Sequence, residues 1–143
     1  MTDPTSNWDA RPADCAGGLI VRQGRILLGL RSPDSEAYPN VWDVFGGHVE
    51  DGETVEQALV RELQEELDIV PTAFERLTTF REPDPRSNGV VRYHVFKVAA
   101  WSGPGPRLRG AEHTEIRWCT CEEALALDLA APEYRALFRD HVV

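Results

Sequence analysis

The residues of this chain that are best suited to chemistry are concentrated between residues 47 and 69. Within that stretch one arginine and four glutamates recur at gaps that would put three of the carboxylates on one side of a short helix: Glu53, Arg61, Glu62, Glu65 and Glu66. Carboxylate oxygens are the ligands that hard divalent cations prefer. The segment therefore predicts a cation site, and such a site is suited to binding phosphate.

The helix that must position these side chains has a defined start and a defined buried face. Thr54 and Gln57 form the pattern of a capping box, in which each side chain bonds the other residue's backbone amide. Hydrophobic residues then recur at three- and four-residue steps and mark the face turned to the core: Val55, Ala58, Leu59, Leu63 and Leu67.

The glutamates fall at the edge of that buried face. At roughly 100° per residue, Glu62 and Glu66 lie within about 20° of Val55, and Glu65 lies about 60° to one side of Glu62. Ionised carboxylates in this position repel one another and lose hydration. Because Arg61 alone cannot neutralise all of them, we expect a bound Mg²⁺, with Mn²⁺ as the alternative.

The spacing of these residues matches a known family pattern. Gly47, five residues, Glu53, seven residues and then the segment 61–69 together resemble the Nudix box. The similarity extends upstream over residues 42–53 (WDVFGGHVEDGE) and downstream to residues 112–118 (EHTEIRW). The chain thus resembles MutT-like single-domain members of the Nudix hydrolase family. This resemblance implies an α/β fold, with a mixed β-sheet sandwiched between α-helices.

Two positions depart from the usual pattern of the family. Phe45 stands where a proline is common, and Asp68 stands in place of the second glycine of the box. That glycine normally supports a left-handed helix ending. Because Asp tolerates the left-handed conformation better than most side chains, we expect only a small local cost and an intact metal site.

The resemblance also implies roles for individual residues. The metal ligands would be the Gly47 backbone carbonyl and the carboxylates of Glu62, Glu65 and Glu66. Glu53 would pair with Arg61, and this charge-assisted bond between loop and helix would fix where the other carboxylates point. Arg31 is a candidate phosphate or sugar contact, the alternative being a plain surface charge.

Hydrolysis of a pyrophosphate bond also needs an acceptor for the proton of the attacking water. The metal would neutralise phosphate charge and position that water. In the family the acceptor is a helix glutamate in some members and a loop glutamate in others, so four residues are eligible: Glu65, Glu66, Glu112 and Glu115. We favour Glu66 as a metal ligand and either Glu112 or Glu115 as the acceptor.

The histidines and the large aromatic residues are not predicted to take part in catalysis. The four histidines lack metal-ligand or nucleophile–base spacing, and we assign them no catalytic role. The larger aromatic residues are expected in the core, although one of them could instead hold a nucleobase: Trp42, Tyr93, Phe96, Trp101 and Trp118.

Composition supports one acidic domain that binds a small ligand. A chain of 143 residues has the length of a single domain with one sizeable core. The formal net charge is −9, and residues 47–69 hold eight of the acids against one arginine, so the acidity is concentrated at the predicted site. Without a basic surface we expect neither duplex nucleic acid nor membrane as a partner. We expect a nucleotide as the substrate and a monomer or homodimer as the assembly.

The cysteines and the N-terminal residues indicate the compartment. Three cysteines, an odd number, do not form a disulfide framework, and the polar opening segment is unlike a signal peptide. We therefore expect a cytoplasmic protein, with residues 1–13 forming a flexible segment and residues 14–143 forming the single Nudix domain.

Hydrophobic patterns predict the other elements. Strands are expected over residues 15–21, 25–30, 74–80, 90–100 and 116–119. Further helices are expected over residues 122–127 and 133–139. Gly- and Pro-containing turns and loops are expected at residues 23–24, 83–89 and 102–110.

Three functions are consistent with this sequence. The first is a pyrophosphohydrolase that cleaves a nucleoside diphosphate linked to another group, or a modified or ordinary nucleoside triphosphate. The second is a catalytically silent Nudix module that senses a nucleotide, and the third is an interaction domain with an acidic patch. For the substrate, Pro85 lies where family members that act on ADP-ribose often have a proline, whereas residues 19–31 and 118–129 resemble members that act on triphosphates.

Overall fold

The computed structural model describes residues 13–84 and 89–143. Seven strands are present in these ranges: β1 Ala13–Arg22, β2 Arg25–Arg31, β3 Trp42–Asp43, β4 Phe45–His48, β5 Val70–Pro83, β6 Val90–Ser102 and β7 His113–Thr120. Three helices accompany them: α1 Val55–Leu67, α2 Cys121–Leu125 and α3 Tyr134–His141. Except for Ala13, the predicted N-terminal segment lies outside the described residues, and so does Pro85.

The sheet is mixed, and β1 changes partner along its length. The strand order is β3-β2-β1-β6-β5, while β4 pairs with β1 and β7 pairs with β2. β1 runs parallel to β6, and the other pairings between the described strands are antiparallel. Residues 15–18 of β1 pair with β4, whereas residues 21–22 pair with β2. This change of partner places the glycines of β4 beside β1.

Side chains alternate between two cores on opposite faces of the sheet. Ala16, Ile20 and Leu27 pack with the buried face of α1 on one side. Leu19, Ile26 and Leu28 pack on the other side with residues of α2 and α3, among them Ala124 and Phe138. Because successive strand residues point to opposite faces, one sheet fills both cores. The predicted α/β arrangement, a mixed sheet sandwiched between helices, is confirmed.

Helix α1 has the predicted capping box at its start and a left-handed ending. Thr54 Oγ1 accepts a hydrogen bond from the Gln57 amide at 3.0 Å, and Gln57 Oε1 accepts from the Thr54 amide at 2.9 Å. The helix ends at Asp68, whose φ of 60° and ψ of 40° are left-handed. Asp68 thus adopts the conformation for which the family pattern uses glycine.

Several element boundaries differ from those predicted. The short strands β3 and β4 were not predicted. β3 has only two residues and is defined by its pairing with β2, whereas β4 contains two glycines, which have low strand propensity, and forms through its pairing with β1. β5 begins at Val70 rather than at residue 74, and β7 begins at His113 rather than at residue 116. The added residues carry little hydrophobic pattern and are held by ladder pairing. None of the described helices is long and apolar enough to span a membrane.

Candidate active site

Arg61 joins the loop before α1 to the helix. Its Nε donates to Glu53 Oε2 at 2.7 Å, and its Nη2 donates to Glu53 Oε1 at 3.0 Å and to the His48 carbonyl at 3.0 Å. The Arg61 guanidinium also holds the pKa of Glu53 below its usual value. The predicted Glu53–Arg61 pair is therefore present, in the two-pronged geometry that fixes orientation as well as distance.

The same guanidinium reaches two of the helix carboxylates. Arg61 Nη1 donates to Glu62 Oε2 at 3.1 Å and to Glu65 Oε1 at 3.3 Å. The Glu65 side chain is 60% exposed, whereas that of Glu62 is 14% exposed. Of these two, Glu62 is the one held inside the site, and Glu65 stands at its rim.

The Glu62 carboxylate lies directly against the backbone of Gly47. A Cβ added at Gly47 would overlap Glu62 Oε2 and approach the carboxyl carbon to 2.6 Å. A side chain at position 47 would displace the carboxylate from this position. The structure thus brings together the backbone of β4 and a carboxylate of α1, the two predicted sources of metal ligands.

Glu66 carries a buried carboxylate that the described residues leave uncompensated. The residue is 6% exposed, and neither carboxylate oxygen has a hydrogen-bond partner in the described ranges. Burial, followed by the nearby carboxylates of Glu62 and Glu112, raises the pKa of Glu66 well above its ordinary value. A buried carboxylate without a partner costs free energy. Oxygen donors in this condition fit a hard divalent cation.

Glu112, the last residue before β7, and His113, the first residue of β7, lie beside Glu66. Ligand atoms of these three residues all lie within 4.8 Å of one another. Glu112 remains accessible, but partial burial and the charge of Glu62 raise its pKa. Glu112 is thus the predicted loop glutamate that the structure places beside the helix carboxylates.

His113, for which the sequence predicted no catalytic role, lies beside Glu66 and Glu112. Its Nδ1 lies 4.0 Å from Glu66 Oε1, and its ring packs on Phe45 with the ring centroids 4.8 Å apart. Burial and the charge of Arg31 lower the pKa of His113 to about 4, so the ring is neutral at pH 7. The only available signal was its position next to Glu112, since its contact with Glu66 is made across the fold.

Glu115 lies apart from this group. It is exposed, and its Oε2 accepts a hydrogen bond from Arg117 at 3.3 Å. It is neither part of the group of ligand atoms around Glu66 nor among the residues that line the adjoining cavity. Of the two loop candidates for the proton acceptor, the structure brings Glu112 to the helix carboxylates and does not bring Glu115.

A cavity of about 830 Å³ adjoins the carboxylates. Its lining includes Gly47, Glu62 and Glu112 together with Arg31, Tyr38, Asp43, Glu82 and Tyr93. Its volume lies within the roughly 300–1,000 Å³ usual for small-molecule sites. The cavity is therefore large enough for a nucleotide whose phosphates reach the carboxylates.

Arg31 lies in the wall of this cavity and organises the neighbouring loop. Its Nε donates to the Ala37 carbonyl at 3.1 Å, and its Nη2 donates to Ser35 Oγ at 2.8 Å. Its Nη1 lies 3.8 Å from Asp43 Oδ2. The guanidinium is thus held by protein groups, and it adds positive charge to an otherwise acidic cavity.

Two more carboxyl groups line the cavity at raised pKa values. Asp43 is buried and accepts from the Tyr134 hydroxyl and the Val44 amide, both at 2.8 Å, and burial raises its pKa to about 6. Burial, with smaller effects from Glu133 and Asp43, raises the pKa of Glu82 to about 7. The cavity therefore offers oxygen acceptors to the donor groups of a ligand.

Comparison with known proteins places the chain in a family. The family model described as NUDIX domain matches residues 11–141. A protein of Escherichia coli (strain K12) named CTP pyrophosphohydrolase is 36% identical over 117 residues, which are 82% of this chain and 82% of the relative. An ADP-ribose pyrophosphatase of Methanocaldococcus jannaschii is 36% identical over 85 residues, which are 59% of this chain and 49% of the relative.

A solved structure agrees with this assignment. The crystal structure of a MutT Nudix hydrolase from Burkholderia pseudomallei matches 94% of this chain and 100% of its own, with a TM-score of 0.74 and 29% identity. The chain belongs to the Nudix family. The predictions of a MutT-like member and of a Nudix pyrophosphohydrolase are confirmed.

Replacing Glu66 with Gln is expected to stabilise the metal-free protein. Because folding raises the pKa of Glu66, its ionised form opposes folding at every pH above its unfolded pKa, and an amide removes that cost. In EDTA, the free energy of unfolding of Glu66→Gln should exceed that of the wild type by a margin that grows as the pH rises above the unfolded pKa of the carboxyl group. Denaturant titrations at several pH values measure this margin.

The control for this experiment is Glu65→Gln. The Glu65 side chain is 60% exposed, so no such pH-dependent gain is expected from it. A Glu66→Gln protein that is no more stable than the wild type at about pH 8 would contradict the argument that the buried carboxylate is uncompensated.

Proposed function

We propose that this protein is a divalent-metal-dependent pyrophosphohydrolase that cleaves nucleoside triphosphates by attack of water on phosphorus. The observation that carries the proposal is the buried Glu66 carboxylate, which has no hydrogen-bond partner in the described ranges and lies beside Glu62 and Glu112. Such a group is stable in a folded protein when a cation shares its oxygens.

Mg²⁺ is the proposed cation, and Mn²⁺ is the alternative. Its ligands would be Glu62, Glu66 and the Gly47 carbonyl, with Glu65 at the exposed rim. When bound, the metal supplies charge neutralisation on the phosphates and lowers the pKa of a coordinated water. The oxygen-only donor set of these four residues suits both ions.

The protein's own residues would orient the site and accept a proton. Arg61, held by Glu53, fixes the direction of Glu62, and among the described residues neither oxygen of Glu66 has a hydrogen-bond partner. Glu112 would accept the proton of the attacking water, because it is accessible, lies beside Glu66 and has a raised pKa. Glu115, which is exposed and pairs with Arg117, has less support for that role.

The substrate class is proposed from the cavity and from the relatives. The relative named CTP pyrophosphohydrolase aligns over four-fifths of both chains, whereas the ADP-ribose pyrophosphatase aligns over about half of its own length. Glu82 and Asp43 offer carboxyl oxygens that would accept from an exocyclic amino group of a nucleobase. These observations favour a triphosphate with an amino-bearing base, and ADP-ribose or a nucleotide sugar remains the second candidate.

The other functions considered have less support. A silent nucleotide sensor would be expected to lack a metal carboxylate, and all of the predicted ones are present. An acidic docking patch would be exposed, whereas Glu66 is buried. The cytoplasmic location and the monomeric or dimeric state stay predictions.

A substrate screen with Mg²⁺ tests the proposal directly. The compounds are CTP, a modified CTP, UTP, ADP-ribose, a nucleotide sugar and a dinucleoside polyphosphate. We expect CTP to be cleaved to the monophosphate and pyrophosphate, and to be cleaved faster than UTP, which lacks the amino group. Preferential cleavage of ADP-ribose would contradict the substrate class, and no turnover of any compound would favour the sensor.

The metal ligands are tested by removing one charge at a time. Glu62→Gln and Glu66→Gln are each expected to lower turnover with Mg²⁺ by at least ~10²-fold, because metal ligation supplies much of the catalysis of phosphoryl transfer. Glu56→Gln, on the exposed side of the same helix, is the control and should keep normal turnover. Near-normal turnover in either ligand variant would show that the ligand assignment is wrong.

The proton acceptor is tested with a matched pair of glutamates, Glu112 before β7 and Glu115 within β7. Glu112→Gln should lower turnover by about 10²-fold or more and abolish the acidic limb of the pH–rate profile. Glu115→Gln should leave both unchanged, because Glu115 lies outside the cluster. If neither substitution alters the profile, the acceptor is one of the helix glutamates.

A further inference from the structure

The segment between β6 and β7 returns to the C-terminal end of α1 and caps it. Three of its backbone amides donate to successive carbonyls there: Gly105 to Asp68 at 3.2 Å, Arg107 to Leu67 at 3.0 Å and Arg109 to Glu66 at 2.9 Å. The last carbonyls of a helix have no partner within the helix. Segment 105–109 supplies those partners, so its position is tied to the end of α1.

Two arginine side chains of this segment bind the Asp68 carboxylate. Arg107 Nε donates to Asp68 Oδ2 at 2.9 Å, and Arg109 Nη1 donates to Asp68 Oδ1 at 3.0 Å. Arg109 Nη1 also donates to the Gln64 carbonyl at 3.3 Å. We call this arrangement of Asp68, Arg107 and Arg109 the clamp. A glycine at position 68, as in the family pattern, could form no part of it.

The clamp ends close to the proposed proton acceptor. Arg109 is bonded to the backbone of Glu66, and Glu112 follows only three residues later, a stretch that spans at most about 10 Å. Gly110, with φ of +74°, lies between them. Because the chain from Arg109 to Glu112 is this short, the position at which Arg109 is held limits where Glu112 can lie.

The chain is also anchored on the C-terminal side of the Glu112 α-carbon. The Glu112 carbonyl accepts from the Ser32 amide at 2.9 Å, and β7 begins at the next residue. Glu112 therefore sits on a short bridge between the clamp and the sheet. Loosening the clamp would free one end of that bridge and leave the other in place.

We propose that Asp68 is a positioning residue that holds Glu112 beside Glu66 by clamping Arg107 and Arg109. Exposed ion pairs are individually weak, but two arginines on one carboxylate, joined by three backbone hydrogen bonds, form a network. The role rests on the proposed function of Glu112. It gives a physical reason for an aspartate in place of the glycine of the box.

The test uses the substitution Asp68→Asn, because asparagine also tolerates the left-handed conformation but carries no charge. With the best substrate of the screen, its kcat is expected to fall about fivefold at unchanged KM, because a displaced acceptor affects reaction more than binding. The double variant Arg107→Gln/Arg109→Gln should give the same loss, and it leaves the helix ending intact. The matched control is Glu56→Gln, which breaks an exposed pair between α1 and Arg76 of β5 and should change neither constant.

A double-mutant cycle separates positioning from general loosening. In a Glu112→Gln background, Asp68→Asn should cause no further loss of kcat, because the residue that it positions is gone. A further fivefold loss there, or an unchanged kcat in Asp68→Asn alone, would overturn the proposal.

Hydrogen exchange without substrate makes the test independent of the enzymatic activity. Asp68→Asn should speed exchange at the Gly105, Arg107 and Arg109 amides, whereas unchanged exchange would overturn the clamp itself. If the wild type hydrolyses nothing, the proposed function fails. The exchange rates then still decide whether the clamp exists.

Discussion

The structure of this site depends on one constraint, the burial of a carboxylate that the described part of the chain does not neutralise. Glu66 points from α1 toward the sheet, 6% exposed and beside Glu62 and Glu112, and its oxygens have no hydrogen-bond partner in the described ranges. The raised pKa of Glu66 reflects the free-energy cost of burying its ionised form. The buried stripe of α1 offsets this cost by apolar packing, so the fold holds in place a group that would otherwise turn to water.

Two sets of arginine–carboxylate contacts hold helix α1. At the middle of the helix, Arg61 joins Glu53 of the preceding loop and orients Glu62. At its end, Asp68 joins Arg107 and Arg109 of the segment that leads to Glu112. The charged groups that surround the site are thus arranged so that Glu66 is spared a cationic partner within the described residues. This is the condition in which a carboxylate can share a divalent cation with a phosphate.

The strongly patterned parts of the fold were predictable, and those held by distant pairing were not. The capping box at Thr54 and the apolar steps of α1 are local signals, and both appear in the structure as predicted. Strand β4 has two glycines and no alternation, and it forms because β1 pairs with it. The first residues of β7 are polar and are held by β2. Within the site, sequence spacing predicted the roles of Glu53, Arg61 and Glu62. The approach of His113 to Glu66 could not be predicted from local sequence.

The sequence by itself determined the family, the helix that carries the carboxylates and the concentration of negative charge on it, because these follow from spacing within one short segment. Only the tertiary structure decided which acids are buried and which loop glutamate meets the helix. Glu112 and Glu115 are residues of the same type and lie close together in the sequence. The fold nevertheless brings Glu112 to Glu66, whereas Glu115 pairs with Arg117. The burial of a side chain and its interactions with nearby charges depend on residues far apart in the chain, so the local sequence pattern does not predict them.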